Sequence, residues 1–316
     1  MQKKRRRAPA PPLAARQGTA VCGLALLGYF VCLGLIQLAA SFFPAVLSLG
    51  PDMAVRETAR LFFWNALPAA AFLPPFVWAV RALRPANALR GLCLPRAGLP
   101  RGFAPLFLAL SMLASTVGGL LGRALGLRSG TGWVPEGGTS LAAAFLALCV
   151  LPALAEEVFF RGLLRAALRP YGPGAAVLGS ALLFALSHGS LPQCLTALIG
   201  GLALGLCAEY CGSVWPGAAL HLCNNALAFG AVWLELYADP ALAGAFSLTA
   251  ALLLAFWCAA AFLPRRPVGG HGPKRRGWAM PRAGEGEPGI RALFADPAFR
   301  LALAGLGLLA AWRCLR

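Results

Sequence analysis

Charge is what this chain most lacks. Only 12% of its 316 residues are Asp, Glu, Lys or Arg, against 59% hydrophobic; a soluble globular chain carries about 25% charged and about 45–50% apolar residues. Half the usual charge is too little to clothe a water-soluble fold, so soluble α/β architectures are excluded. A mean hydropathy of +0.70 excludes disorder and collagen-like structure as well. Acids are scarcest, 11 against 28 Lys and Arg, for a net charge of +17. In a soluble protein that excess would point to nucleic acid. Here the basic residues stand mostly between apolar runs or in the cluster Lys3-Lys4-Arg5-Arg6-Arg7, which is the arrangement of membrane orientation signals and headgroup contacts. The expected partner is membrane lipid, with no nucleic acid. The ten cysteines contain no C-x-x-C pair, and seven of them (Cys22, Cys32, Cys149, Cys194, Cys207, Cys223 and Cys258) lie in or beside apolar runs. Neither a disulfide framework nor a thiolate zinc site is expected.

What the chain has in quantity is long apolar segments. A membrane span takes about 20 mostly apolar residues, and eight candidates run over 19–49, 61–80, 103–122, 141–160, 175–188, 192–208, 214–234 and 247–263. The expected fold is therefore all-α, a polytopic membrane helix bundle of about eight transmembrane helices. The first run is too long for the roughly 7–15-residue apolar stretch of a signal peptide and reads as an uncleaved span that could break near Pro44. The second carries Pro68, Pro74 and Pro75 and is expected to kink. The fifth is short: it either continues past His188 or forms a hairpin with the sixth. The run 301–312 is too short to cross and reads as interfacial or re-entrant. The expected organisation is a basic tail over 1–18, accessory helices over 19–138, a core over 139–263, a Gly/Pro/Arg-rich linker over 264–300 and a short last segment over 301–316. With the basic tail in the cytoplasm, the connection 81–101, Arg165 with Arg169, and the segment after the eighth span all fall inside. The longer inside connections then hold most of the loop Lys and Arg, as the positive-inside rule asks. Arginine outnumbers lysine 25 to 3; with abundant Ala, Gly and Pro this suggests a GC-rich genome and a bacterial plasma membrane.

Against that apolar background a few ionisable residues stand out. One at the centre of a span costs at least about 2.5–3.5 kcal/mol on insertion scales, so such groups are functional candidates. Glu156 and Glu157 close the fourth run. Glu157 and Arg161 are four apart on a helix and can pair; Glu156, about 100° around the axis, lacks that partner. His188 ends Phe184-Ala185-Leu186-Ser187-His188, and His221 shares a helix face with Asn225. Each piece alone has an ordinary structural explanation: an interfacial charge cluster, a buried histidine bonded to a carbonyl or Ser187, polar glue between helices. Glu209 reads as an interfacial charge, and His271 lies in the linker. Together, a carboxylate, two imidazoles and a carboxamide suffice for amide hydrolysis: Glu156 activates water, one His orients it or supplies a proton, and the other, with Asn225, stabilises the oxyanion. No Ser or Cys nucleophile with a consistent base stands out.

The ordered motifs Glu156-Glu157…Arg161, Phe184…His188 and His221…Asn225 resemble E-E-x-x-x-R, F-x-x-x-H and H-x-x-x-N of the CAAX protease and bacteriocin-processing (CPBP, or Abi) family of intramembrane endopeptidases. The resemblance covers about residues 139–236, and more loosely extends to 263. It implies a bundle of about eight helices and peptide-bond hydrolysis by water activated on Glu156 with His188. His221 and Asn225 would form the oxyanion hole, and Glu157, Arg161 and Phe184 would act structurally. It implies a membrane-associated peptide or protein substrate, prenylated in the eukaryotic members, which remove the last three residues of C-a-a-X proteins. No cofactor is expected; the competing view is zinc on Glu156, His188 and His221, ligands of acceptable type without an H-E-x-x-H pattern. Other readings of the same residues are a non-catalytic scaffold or immunity-type protein of the same fold and a proton-coupled transporter.

Overall fold

A computed structural model describes residues 13–42, 53–83, 92–127, 140–262 and 287–314. Among these the chain is all-helical. Seven helices are long and apolar enough to cross a membrane, and an eighth crossing is possible if a bent C-terminal pair counts as one. The helices are α1 (Leu13–Phe42), α2 (Met53–Ala70), α3 (Leu73–Leu83), α4 (Phe103–Ala124), α5 (Leu141–Tyr171), α6 (Pro173–Ser187), α7 (Leu191–Cys211), α8 (Trp215–Tyr237), α9 (Pro240–Phe262), α10 (Gly289–Ala295) and α11 (Pro297–Cys314). Large apolar side chains such as Leu24, Leu35, Leu120, Leu252, Phe256 and Trp257 lie exposed along α1, α4 and α9. In water that surface would drive association; in an integral membrane protein it meets lipid.

The prolines act as expected in the second run. α2 ends two residues after Pro68 and α3 restarts with Pro74 and Pro75 in its first turn, where a missing N–H costs nothing. The expected break at Pro44, the linker over 264–286 and His271 lie outside the described residues.

Two expectations need correction, and one open alternative is decided. The fourth helix does not stop at Phe160 but runs on to Tyr171, because 161–168 adds Gly162, Leu163, Leu164 and Leu168 to Arg161 and Arg165, all seated inside. Glu156 and Glu157 therefore sit near the middle of a 31-residue helix. The fifth run is a 15-residue helix, too short to span; it forms the hairpin with the next helix. Last, the segment expected to begin near 301 starts twelve residues earlier, as α10 and α11 bent by 70°. Leu293 and Phe299, both fully buried, are the reason: they give this stretch a core to pack on.

Close packing of small residues holds the hairpin. Gly201 lies against the Ala181 backbone and Gly205 against Val177, so α6 and α7 approach more closely than larger side chains would allow. Gly118 and Gly122 let α4 do the same against Pro192. An aromatic column runs inward from α1: Tyr29 stacks on Phe72 at 4.0 Å, Phe72 meets Phe159 at 4.7 Å, Phe159 meets Phe160 at 5.3 Å, and Phe160 meets Phe184 at 5.0 Å.

Candidate functional site

Chain geometry brings the motifs level. α5 and α6 are antiparallel and joined at Gly172, whose φ of +107° suits glycine. Glu156 lies sixteen residues before that turn and His188 sixteen after it. At 1.5 Å per residue both sit about 24 Å from it. The antiparallel hairpin thus brings these two residues to the same depth. At the other end, Arg165 and Arg169 both pair with Glu209 near the end of α7, which brings the α7–α8 turn beside the end of α5. His221 is then nine residues past Gly212 and Glu156 nine before Arg165. Glu209, expected as an interfacial charge, is thus a clamp between helices.

The two glutamates part company. Glu157 is completely buried: its Oε1 lies 2.7 Å from Nη1 of Arg161, itself completely buried, and accepts from Nδ1 of His221 at 3.1 Å. Arg161 faces Glu157 as a charge rather than through aligned hydrogen bonds, and its guanidinium also sits 4.2 Å over the Phe184 ring, a cation–π contact. Gly217, one turn before His221, makes room for the other oxygen: a Cβ there would stand 3.1 Å from Oε2. Glu156 keeps 22% of its side chain exposed, and its Oε2 lies 3.7 Å from Nε2 of His221. His221 therefore stands between both carboxylates, anchored on one and facing the other.

Phe184 is the hub. Its ring meets His188 edge-on at 4.6 Å and His221 at 6.0 Å. His188 bonds the Phe184 carbonyl through Nδ1 at 2.9 Å. A carbonyl only accepts, so Nδ1 carries the proton and the neutral ring has its lone pair at Nε2. Asn225 lies one turn beyond His221, half-buried, with no hydrogen bond to another described residue. Glu156, Glu157, Arg161, Phe184, His188 and His221 thus form one connected cluster, with Asn225 adjacent on α8. A wide π-helical stretch, Glu157–Leu164, begins at the second glutamate; such turns gather at functional sites.

Among the described residues no group of three or more His, Cys, Asp or Glu side chains converges as metal ligands would, Glu156, His188 and His221 included. As arranged, these side chains do not fit a zinc ion.

Residues 138–227 match the family model described as Type II CAAX prenyl endopeptidase Rce1-like. That segment, under a third of the chain, is similar to this family and is called the Rce1-like segment below. The match bears out the resemblance drawn from the three motifs, and all seven motif residues lie inside it. It supports a membrane endopeptidase acting on a membrane-associated peptide or protein. No curated protein and no solved structure matches the chain. The Rce1-like segment ends within α8, so α1–α4, α9, α10 and α11 lie outside it.

Three neighbours of the site escaped sequence reasoning. Gly217 carried a faint signal, a glycine one turn before a buried histidine. Tyr29 on α1 lies within the field of Glu156, and Arg313 on α11 lies against Gly189; nothing in their local sequence points to the motifs.

Proposed function

We propose that this protein is an intramembrane endopeptidase that cleaves near the C-terminus of a membrane-associated, prenylated substrate, using water activated on Glu156. The observation that carries the reading is the division between the glutamates. Arg161 and His221 occupy Glu157, while Glu156 stays partly exposed beside an imidazole and is free to act as a base.

Glu156 takes a proton from water as the water oxygen attacks the scissile carbonyl carbon. The neutral His188, protonated on Nδ1, accepts from the same water through Nε2. Charge moves onto the carbonyl oxygen, where Nε2–H of His221 and the Asn225 amide donate to it; preorganised donors of this kind are worth about 10²–10³ in rate each. To donate from Nε2 while Nδ1–H is held by Glu157, His221 carries both protons in this mechanism. When the C–N bond breaks, the proton held on Glu156 passes to the leaving amine. The new carboxyl group and the free amine balance the water consumed.

The test uses purified protein in detergent and a farnesylated C-terminal peptide, with new termini read by mass spectrometry. Glu156→Gln and His188→Ala are expected to lower cleavage by about 10²–10⁴-fold with unfolding midpoints near wild type. Equal cleavage by wild type and Glu156→Gln rejects the mechanism. Comparing native-membrane proteomes for C-termini that vanish with Glu156→Gln would then identify the substrate.

A further inference from the structure

The C-terminal pair lies outside the Rce1-like segment, yet it is anchored to that segment at a fixed point. The Tyr171 hydroxyl donates to Asp296 Oδ2 at 2.9 Å. The other Asp296 oxygen accepts from the backbone N–H groups of Ala298 and Phe299 at 3.0 and 3.2 Å, capping α11. Arg169 reaches Glu287 at 3.3 Å, and Leu293 and Phe299 fill the space over Gly179. From this anchor beside Gly172, α11 runs alongside α6. Arg313 lies 17 residues beyond Asp296, and His188 lies 16 beyond Gly172, so both helices bring a side chain to the same depth.

Arg313 has a prepared seat there. Gly189, the residue after His188, has φ +69°, and the place of its missing Cβ is filled by Arg313: Nη1 would be 2.6 Å and Cδ 2.7 Å from a Cβ. The Tyr29 hydroxyl lies within the field of both Glu156 and Arg313. Unlike Arg161, Arg165 and Arg169, which all have acidic partners, Arg313 is exposed and has no ion pair among the described residues. A guanidinium held at the edge of an apolar site suits a carboxylate, which it binds through two parallel hydrogen bonds.

We infer that Arg313, seated on Gly189, is a specificity residue that binds the free C-terminal carboxylate of the substrate. The inference rests on the endopeptidase reading and adds how the substrate is recognised. A carboxylate three residues past the scissile bond lies at most about 10 Å from it, so its subsite has to adjoin the motifs, as Gly189 adjoins His188. The carboxylate is thereby matched to a charge that the fold supplies from outside the family segment.

The experiment compares two farnesylated peptides of one sequence, one ending in a carboxylate and the other in a carboxamide. Wild type is expected to cleave the acid about 10- to 100-fold more efficiently, the range of a charge-assisted hydrogen bond. In Arg313→Met and Arg313→Gln the two peptides are cleaved at similar rates, and Arg313→Lys restores part of the ratio. Wild type that does not discriminate overturns the inference, and so does a ratio that survives in both neutral variants. A loss that affects both peptides equally and follows the anionic lipid content of the vesicles also overturns it, in favour of headgroup binding. Peptide binding to Glu156→Gln protein, read by fluorescence anisotropy, measures the same ratio without cleavage. A failed endopeptidase reading is thus distinguished from a failed carboxylate subsite.

Discussion

Glu157→Gln keeps the size of the side chain and deletes one charge. Its amide oxygen still accepts from His221, so hydrogen bonding and shape are largely spared. What is lost is the anion 2.7 Å from a guanidinium with no exposed surface. Removing one partner of a buried ion pair costs about 3–5 kcal/mol, chiefly because the remaining charge is left uncompensated. At about 2 °C per kcal/mol for a chain of this size, the midpoint should fall by roughly 6–10 °C. Arg161→Met should cost a similar amount by stranding Glu157. The double variant has neither charge, and methionine fills the space under Phe184; replacing a whole pair by packed neutral groups is often nearly neutral. It should therefore melt within a few degrees of wild type. Tryptophan fluorescence during heating of the four proteins in detergent completes a double-mutant cycle. Should the double variant lose the sum of the two single losses, the charges are not coupled and this account of Glu157 and Arg161 fails. Cleavage should stay low even in the rescued double variant, because Nδ1 of His221 would then face a neutral amide instead of a carboxylate.

Gly217→Ala places a methyl group 3.1 Å from Glu157 Oε2 and should slow cleavage more than it lowers the melting midpoint; unchanged kinetics would show that the carboxylate has room to shift. Tyr171→Phe deletes the hydrogen bond that holds Asp296 and should cost about 1.5–3 kcal/mol, the range for a bond to a charged group, seen as a lower midpoint and faster proteolysis of the C-terminal pair. Cleavage should withstand chelators, since the acidic and imidazole donors do not converge as metal ligands; inactivation by chelation with recovery on adding zinc would refute that. Glu209→Gln leaves Arg165 and Arg169 without their shared partner on α7 and should lower the midpoint by several degrees while leaving the pH profile of cleavage unchanged.

Composition and run length determined the class of this protein. An interior span must be apolar along its whole length, so a helix bundle in lipid announces itself residue by residue, and the few ionisable groups that survive there are conspicuous. That is why Glu156, Glu157, His188, His221 and Asn225 were legible without coordinates, and why the i,i+4 pairing of Glu157 with Arg161 followed from helix geometry alone. Tertiary structure decided the rest. Where α5 ends depended on burial of Arg161, Leu163, Leu164 and Leu168, which no local pattern encodes. That α6 is half a span, folded back to bring His188 level with Glu156, depended on glycine contacts between helices. The bond from His221 to Glu157 and the arrival of Arg313 at Gly189 join residues 64 and 124 positions apart. Helical periodicity records only neighbours within a turn or two, whereas contacts at such separations exist only once the helices have packed.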